Sequence, residues 1–372
     1  MYLNDPGLFF DEDGKVYVVH GQGTLYLTEL NSDVKSVKGK PVKIWQGGFK
    51  NAHELGGGFG MEGSHMYRIN GKYYITCPAG GTGGWQICLR SDNIYGPYEH
   101  KLIMNDWSSY PENGLHQGGM VQLKNGDWWF MIMQDRGPIG RVPCLVPVKW
   151  IDGWPMLGDE GKDLITYPKP ATGKKSKIKS PATTDEFNAS QLGLQWQWNH
   201  NPDNSRWSLK ERKGYMRLYA SQASTLKDAR NTLTQRVQGP SCEGSVEMEV
   251  TGLKDGNIAG FGIFEFPYAY VAIRQESGRR KIVMCNDGKD IETVEHFNGD
   301  KLWIRVRATD KEFKALFYYS LDGVNYKRIG NELQMGLGLP WTANRFALFN
   351  FNTTPQGNNG YADFNWFRFT NK

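Results

Sequence analysis

The sequence predicts an all-β protein in two parts, a β-propeller followed by a two-sheet β-sandwich. Three observations carry that prediction. A strand–turn–strand unit recurs through the first half at nearly constant spacing. The second half alternates apolar and polar residues with a period of two. No segment of useful length shows the 3.6-residue period of a helix. At 372 residues the chain is longer than one ordinary core organises, which agrees with two domains.

The repeated unit reads LFFDEDGKVYVV (Leu8–Val19), MYRINGKYYIT (Met66–Thr76) and VQLKNGDWWFM (Val121–Met131). Each is an apolar strand, an Asp-Gly or Asn-Gly pair and a β-branched or aromatic strand. Such a pair is a strong hairpin signal, because a two-residue turn of this kind needs positive φ at both positions. The turn glycines Gly14, Gly71 and Gly126 stand 57 and 55 residues apart, a period that fits one four-stranded propeller blade per repeat. A further strand-like segment, Gly140–Leu157, carries Asp152-Gly153 at a contracted spacing and reads as a fourth blade. SDNIYGPYE (Ser91–Glu99) reads as an outer strand leaving through a Gly-Pro turn.

Upstream of each turn glycine stands a titratable residue. Asp5 lies nine before Gly14, Glu62 nine before Gly71 and His116 ten before Gly126. The innermost strands of a propeller converge on its axis, so equivalent positions of successive repeats meet in space. Any one of the three would read as a turn or cap. Three in register point to a shared axial site, with Arg141 near the start of the next segment.

The second half begins after a stretch rich in Pro, Lys, Ser and Thr, Tyr167–Thr184, which reads as a linker. The predicted domains are therefore 1–166 (propeller), 167–184 (linker) and 185–372 (sandwich). In GSVEMEVTG, Val246, Met248 and Val250 share one face and Glu247 and Glu249 the other. KLWIRVRAT sets Leu302, Ile304 and Val306 against Trp303, Arg305 and Arg307. FKALFYYSLDGVNYKRI is a hairpin about Asp322-Gly323. One apolar face per strand predicts antiparallel sheets packed face to face.

Composition excludes several classes. Hydrophobic residues at 39% and charged residues at 22% describe a globular chain, not a disordered one. No apolar run is long enough to span a bilayer as a helix. The densest basic run, Lys174–Lys179, lacks interleaved aromatics and reads as solvated linker, so no nucleic-acid partner is expected. The five cysteines (Cys77, Cys88, Cys144, Cys242, Cys285) are scattered, without a Cys-x-x-Cys pair, and read as small core residues. MYLNDPGLFF has neither the basic start nor the apolar core of a secretion signal. Thirteen tryptophans serve cores and sugar rings alike; Trp85 reads equally as sugar platform or core, and Trp196 and Trp198 as sandwich packing.

NDPGLFFDEDGKVYVV, EGSHMYRINGKYYITCPAGGTG, GLHQGGMVQLKNGDWW and GPIGRVPCLVPVKWIDGWPML resemble, in that order, the later blades of family 43 glycoside hydrolases. The region from Asp185 onward, including FNFNTTPQGNNGYADFNWFRF (Phe349–Phe369), is similar to the concanavalin A-like jelly-roll sandwich of the β-xylosidase-type members. The resemblance implies a five-bladed propeller and exo-acting, inverting hydrolysis of xylan- or arabinan-type oligosaccharides, by a β-xylosidase or α-L-arabinofuranosidase. It implies Glu62 as general acid, Asp5 as the carboxylate that orients it and modulates its pKa, and His116 and Arg141 as substrate-binding groups. Ser64 stands where the family usually has proline.

The resemblance also implies a general base in a first blade, for which this sequence offers no equivalent, so the propeller is expected to lack about one blade. A non-catalytic glycan-binding protein is the alternative. The expected partner is a plant-type oligosaccharide or polysaccharide. No cofactor is required. A water-shelled Ca²⁺ in the channel is compatible with the resemblance, but His116 has no second ligand at metal spacing, so hydrogen bonding is favoured over coordination. Glu54 is a competing axial carboxylate in the loop ahead of Glu62. The sequence leaves localisation open: secreted or periplasmic if a signal precedes it, cytoplasmic otherwise.

Overall fold

The structure, a computed structural model, describes residues 3–46, 60–78, 84–105, 114–162, 166–171, 173, 177, 180–336, 342–354 and 360–371. Among them the only helical element is a single 3-10 turn at Gly137–Ile139, and everything else regular is strand. Among the described residues no helix is long and apolar enough to cross a membrane. Two compact units are present, Met1–Arg136 with Arg141–Ser176, and Gly137–Gly140 with Lys177–Lys372. Of the basic run, only Lys177 lies among the described residues, and Glu54 lies outside them.

Among the described residues the first unit holds three four-stranded antiparallel sheets in chain order. The first comprises β1 (Gly7–Phe10), β2 (Val16–Gln22), β3 (Thr24–Leu30) and β4 (Val42–Gln46). The second comprises β5 (His65–Ile69), β6 (Lys72–Pro78), β7 (Gln86–Ser91) and β8 (Glu99–Met104), and the third β9 (Leu115–Gln122), β10 (Trp128–Asp135), β11 (Arg141–Ile151) and β12 (Trp154–Leu157). The segment Gly140–Leu157 is therefore not a fourth blade; it supplies the outer strands of the third. Its Asp152-Gly153 does form a two-residue turn, with φ of 53° and 74°, but the turn joins β11 to β12. Ser91–Glu99 is likewise the connection between β7 and β8 and not a strand.

The predicted hairpins form, although only one has the two-residue turn. Asn70 and Gly71 take φ of 52° and 80°, and Ile69 pairs directly with Lys72. In the first and third repeats the turn widens to five residues, closed by Asp11 N–H to Lys15 O (2.9 Å) and Leu123 N–H to Asp127 O (2.8 Å).

The middle sheet is buried on both faces. Tyr73, Ile75 and Cys77 pack toward Phe9, Tyr17, Val19 and Leu25 of the first sheet. Tyr74 and Cys88 pack toward Leu115, Phe130 and Val146 of the third. That double burial is why β6 reads as a near-continuous apolar run, KYYITCP. The outer faces differ: Phe10 is 64% exposed on the first sheet and Met131 51% on the third.

The first two blades are also tied by a buried carboxylate. Asp11 accepts from Tyr73 Oη (2.8 Å) and Arg68 Nη1 (3.1 Å). Burial, with the Asp11 charge and hydrogen bond, pushes the Tyr73 phenol up to about 12. Asp11→Ala strands the Tyr73 hydroxyl and leaves Arg68 only Glu12, 3.4 Å away, and chemical denaturation should register a loss of about 1–3 kcal/mol; an unchanged midpoint would show that the tie contributes nothing.

The second unit is a sandwich of two eight-stranded sheets. One is built around Arg345–Asn352, Asn257–Phe264 and Ala269–Glu276, the other around Tyr361–Asn371, Ser241–Glu249 and Lys301–Thr309. Val246, Met248, Val250, Leu302, Ile304 and Val306 all enter the inter-sheet core, as their alternation predicts. The opposite face is charge-paired. Glu247, only 8% exposed, accepts from Lys301 Nζ (2.8 Å), Trp303 Nε1 (3.1 Å) and Asn365 Nδ2 (3.2 Å). Burial alone would raise its pKa, but these donors outweigh burial and hold it low. Trp196 is buried, with Nε1 donating to Asp185 at 2.8 Å, and Trp198 packs at 5.3 Å from Trp207. Both are packing residues. The described cysteines are unpaired as disulfides, and all but Cys144 are buried.

Candidate active site

The heads of three inner strands carry the predicted residues. Asp5 stands two residues before β1, Glu62 three before β5, and His116 is the second residue of β9. The backbone is bent at all three places: Asp5 has φ 43°, Met61 69° and Gln117 56°. Non-glycine residues in this region each cost about 1–3 kcal/mol and persist where the surroundings over-determine them. Close approach of the first two heads depends on Gly7, because a Cβ there would lie 2.0 Å from the main-chain oxygen of Ser64. Ser64, in place of the family proline, is buried, and its hydroxyl donates to Met61 O at 3.1 Å.

Four side chains act on one carboxyl. The Glu62 pKa is raised, first by burial and then by the negative charge of Asp5. Arg141 and His116 pull it the other way through their charges, and Gln22 by a 2.8 Å hydrogen bond from Nε2 to Glu62 Oε2. Asp5, Glu62, His116 and Arg141, as far as 136 positions apart in the chain, therefore share one electrostatic environment. Asp5 itself is exposed and Glu62 half-buried, so the acid can meet solvent or substrate.

The third blade adds a residue that the repeat did not flag. Asp135, 1% exposed, ends β10 and bridges two predicted groups: Oδ2 lies 3.0 Å from His116 Nε2 and Oδ1 accepts from Arg141 Nε at 3.2 Å. Burial would raise its pKa, but hydrogen bonds and charge from His116 and Arg141 dominate, so Asp135 stays ionised. His116 is fully buried, and its Nδ1 has no hydrogen-bond partner among the described residues. A Cβ on Gly84 would sit 2.3 Å from the His116 ring. Gln86 Oε1 accepts the Gln117 N–H at 3.0 Å.

A signal for Asp135 and Gln22 was present in the sequence. In an antiparallel hairpin the end of the second strand returns beside the head of the first, as Gln134 pairs with Leu115. A polar residue closing an apolar second strand, VYVVHGQ or WWFMIMQD, therefore belongs to the same axial ring. Trp85, by contrast, is 2% exposed in the core beside Met61 and Ile87. A ring so enclosed offers no face to a sugar, so the stacking role expected for it fails.

The structure offers little for a bound cation. Among the described residues no group of three or more His, Cys, Asp and Glu is placed to hold one, and His116 already gives Nε2 to Asp135. The site residues place a carboxyl with a raised pKa beside a guanidinium and an imidazole.

Residues 3–155 match Glycosyl hydrolases family 43, and residues 184–370 match the Beta xylosidase C-terminal Concanavalin A-like domain. The chain belongs to glycosyl hydrolase family 43. Its propeller and sandwich are the two domains of that family's β-xylosidase-type members. A putative beta-xylosidase of Xylanibacter ruminicola is 33% identical over 90% of this chain and 62% of its own length. A beta-xylosidase of Formosa agariphila is 30% identical over 99% of this chain and 69% of its length. A non-reducing end alpha-L-arabinofuranosidase of Bacteroides ovatus is 27% identical over 98% of this chain and 72% of its length. Among solved structures, a bifunctional GH43-CE protein of Bacteroides eggerthii superposes with a TM-score of 0.88 at 38% identity, over 100% of this chain and 48% of its own. This chain thus spans about two thirds of the length of its curated relatives.

Proposed function

We propose that this family 43 chain hydrolyses O-glycosidic bonds of pentose-containing plant oligosaccharides, exo-acting and with inversion, as a β-xylosidase or α-L-arabinofuranosidase. The observation that carries the reading is Glu62: a half-buried carboxyl with a raised pKa, next to the Asp5 charge. A general acid must hold its proton near neutral pH until the leaving oxygen accepts it, and burial plus a neighbouring carboxylate shift Glu62 in that direction. Arg141 donates to the hydroxyls of the terminal sugar, and His116 lies under its ring. The reaction is acid–base chemistry and calls for no cofactor. The names of the relatives support both pentosidase specificities.

Inversion also needs a base to activate water, with the two carboxyl groups about 6.5–9.5 Å apart. Asp5 is the one carboxylate among the groups acting most strongly on Glu62, and it is assigned to tuning the acid. The second reading is sugar binding without cleavage. One experiment separates them: the chain is incubated with nitrophenyl β-xyloside and nitrophenyl α-L-arabinofuranoside, and the released sugar is followed by proton NMR. First-formed α-xylose from the β-xyloside establishes inversion, and β-xylose rejects it. Calorimetric binding of xylo-oligosaccharide without release of any sugar establishes the second reading.

The Asp5 charge gives a pH prediction. It raises the Glu62 pKa, so Asp5→Asn lowers that pKa and Glu62 loses its proton at lower pH. The alkaline limb of kcat/KM should move toward acid, only part of the way, because burial is the larger cause. A limb that stays in place, or moves toward alkali, rules out Asp5 as the modulator.

A further inference from the structure

The hydrogen bond to Glu62 comes from a turn that is itself fixed on both sides. Between β2 and β3 the chain runs Gly21-Gln22-Gly23-Thr24, with φ of 132° at Gly21 and 71° at Gly23. Gly21 N–H donates to Asn4 O (3.1 Å), next to Asp5, and Gly23 N–H donates to Gly60 O (2.8 Å), two residues before Glu62. Gly21 has no room for a side chain, since a Cβ there would lie 2.0 Å from Thr24 O. Gln22 stands between these two ties and sends Nε2 to Glu62 Oε2 at 2.8 Å. One turn is thus joined to the approaches of both carboxylates.

The main chain around Glu62 is fixed as well. Met61 N–H donates to Pro78 O at 2.7 Å. On the other side a Cβ on Gly63 would lie 2.6 Å from Gln117 Nε2, so the third blade closes against the backbone there. What remains to be set is the direction of the carboxyl. Asp5, Arg141 and His116 act on it through charge, and a charge acts on both oxygens. A hydrogen bond is directional and selects one.

The two oxygens are thereby made unequal. An amide N–H only donates, so Oε2 accepts from Gln22 whether Glu62 is ionised or protonated, and in the protonated form the proton sits on Oε1. We propose that Gln22 is a positioning residue for the acid: its amide, delivered by a turn tied at both ends, holds Glu62 Oε2 as an acceptor and reserves Oε1 to carry the proton to the leaving oxygen. In that step the Oε1–H bond breaks together with the glycosidic C–O bond. The leaving oxygen keeps the C–O electron pair and takes the proton, and Glu62 is left as a carboxylate that the Gln22 donor already faces. Delivery to a glycosidic oxygen rests on the glycosidase reading, but the hold on Oε2 does not.

The test reads the carboxyl directly. The full chain is labelled with ¹³C at the glutamate side-chain carboxyl, and the Glu62 signal is assigned by its loss in Glu62→Gln. A donor to Oε2 favours the carboxylate, so Gln22→Met, which keeps the length of the side chain without the amide, should raise the Glu62 titration midpoint, opposite in sign to Asp5→Asn. An amide turned the other way, its oxygen accepting the acid's proton, would favour the protonated form, and Gln22→Met would then lower the midpoint. The alkaline limb of kcat/KM should follow the midpoint upward. Gln22 is exposed, so water replaces part of the lost bond, and kcat on xylobiose should fall about 3–10-fold, the net worth of one hydrogen bond. KM should hold, and nitrophenyl xyloside, whose leaving group departs with little protonation, should lose less.

A midpoint that falls or stays in place in Gln22→Met overturns the proposal. So does a raised midpoint with unchanged kcat on xylobiose. Should Gln22→Met fail to fold, the wild type still decides: the ¹⁵N-labelled side-chain amide of Gln22 should shift with the Glu62 titration, and an amide indifferent to it overturns the hold. A chain that shows the raised midpoint but cleaves no glycoside sinks the glycosidase reading and still establishes the hold of Gln22 on Oε2.

Discussion

Replacing Glu62 by Gln should lower kcat by about 10²–10⁴-fold, the usual worth of a general acid, and leave KM nearly unchanged. Glutamine keeps the shape of the side chain and an acceptor for Gln22 Nε2, now 2.8 Å from Glu62 Oε2, so the pocket loses a proton and little else. The loss should depend on the leaving group. A nitrophenolate departs without full protonation, whereas a sugar alkoxide needs the proton, so xylobiose should suffer at the top of the range and nitrophenyl xyloside at the bottom. The alkaline limb of the pH profile should also disappear, because the group that defined it is gone. Steady-state kinetics on both substrates checks this. Xylobiose turnover within about tenfold of wild type would remove Glu62 from the mechanism.

Gly7→Ala should cause a large loss of both stability and activity. A Cβ at that position lies 2.0 Å from Ser64 O and 3.2 Å from Val19 Cγ1. The first obstacle is main chain and cannot rotate away. Strand β1 must therefore retreat from β5, and Asp5, two residues upstream, retreats with it. Overpacking of this kind costs about 1–3 kcal/mol of stability, occasionally more, and a displacement near 1 Å at a reacting centre can cost about 10²-fold in rate. Gly14→Ala is the matched control. Gly14 has φ 81° but nothing within 4 Å of its would-be Cβ, so the cost there is local backbone strain of about 1 kcal/mol, with activity spared. Equal kcat values for the two variants would show that the β1–β5 approach does not set the acid's environment.

Much of this site could be read from the chain because hairpins with a constant period repeat their geometry. Glu62, Asp5 and His116 are found by counting back from Gly71, Gly14 and Gly126, and their strand heads do converge. Counting failed where period and pairing part company. Asp152-Gly153 makes a genuine two-residue turn, but a turn looks the same between outer strands as between inner ones, so Gly140–Leu157 read as a blade of its own. Trp85 failed for a related reason: the sequence shows a ring in a glycine-rich stretch, and only packing against Met61 and Ile87 shows that both its faces are covered. Asp135 was missed because the count ran back from the turn glycines to the heads of the first strands and not forward to the ends of the second, where a polar residue closes an apolar strand.

Fold class and the place of Glu62 at a strand head were determined by the sequence alone, since alternation and repeat spacing are local properties that survive translation into strands and blades. The raised pKa of Glu62 and the anchoring of Arg141 on Asp135 were decided only by the tertiary structure. Burial and charge–charge interaction depend on distance through space, and the residues that impose them on Glu62 lie 40 to 79 positions away along the chain.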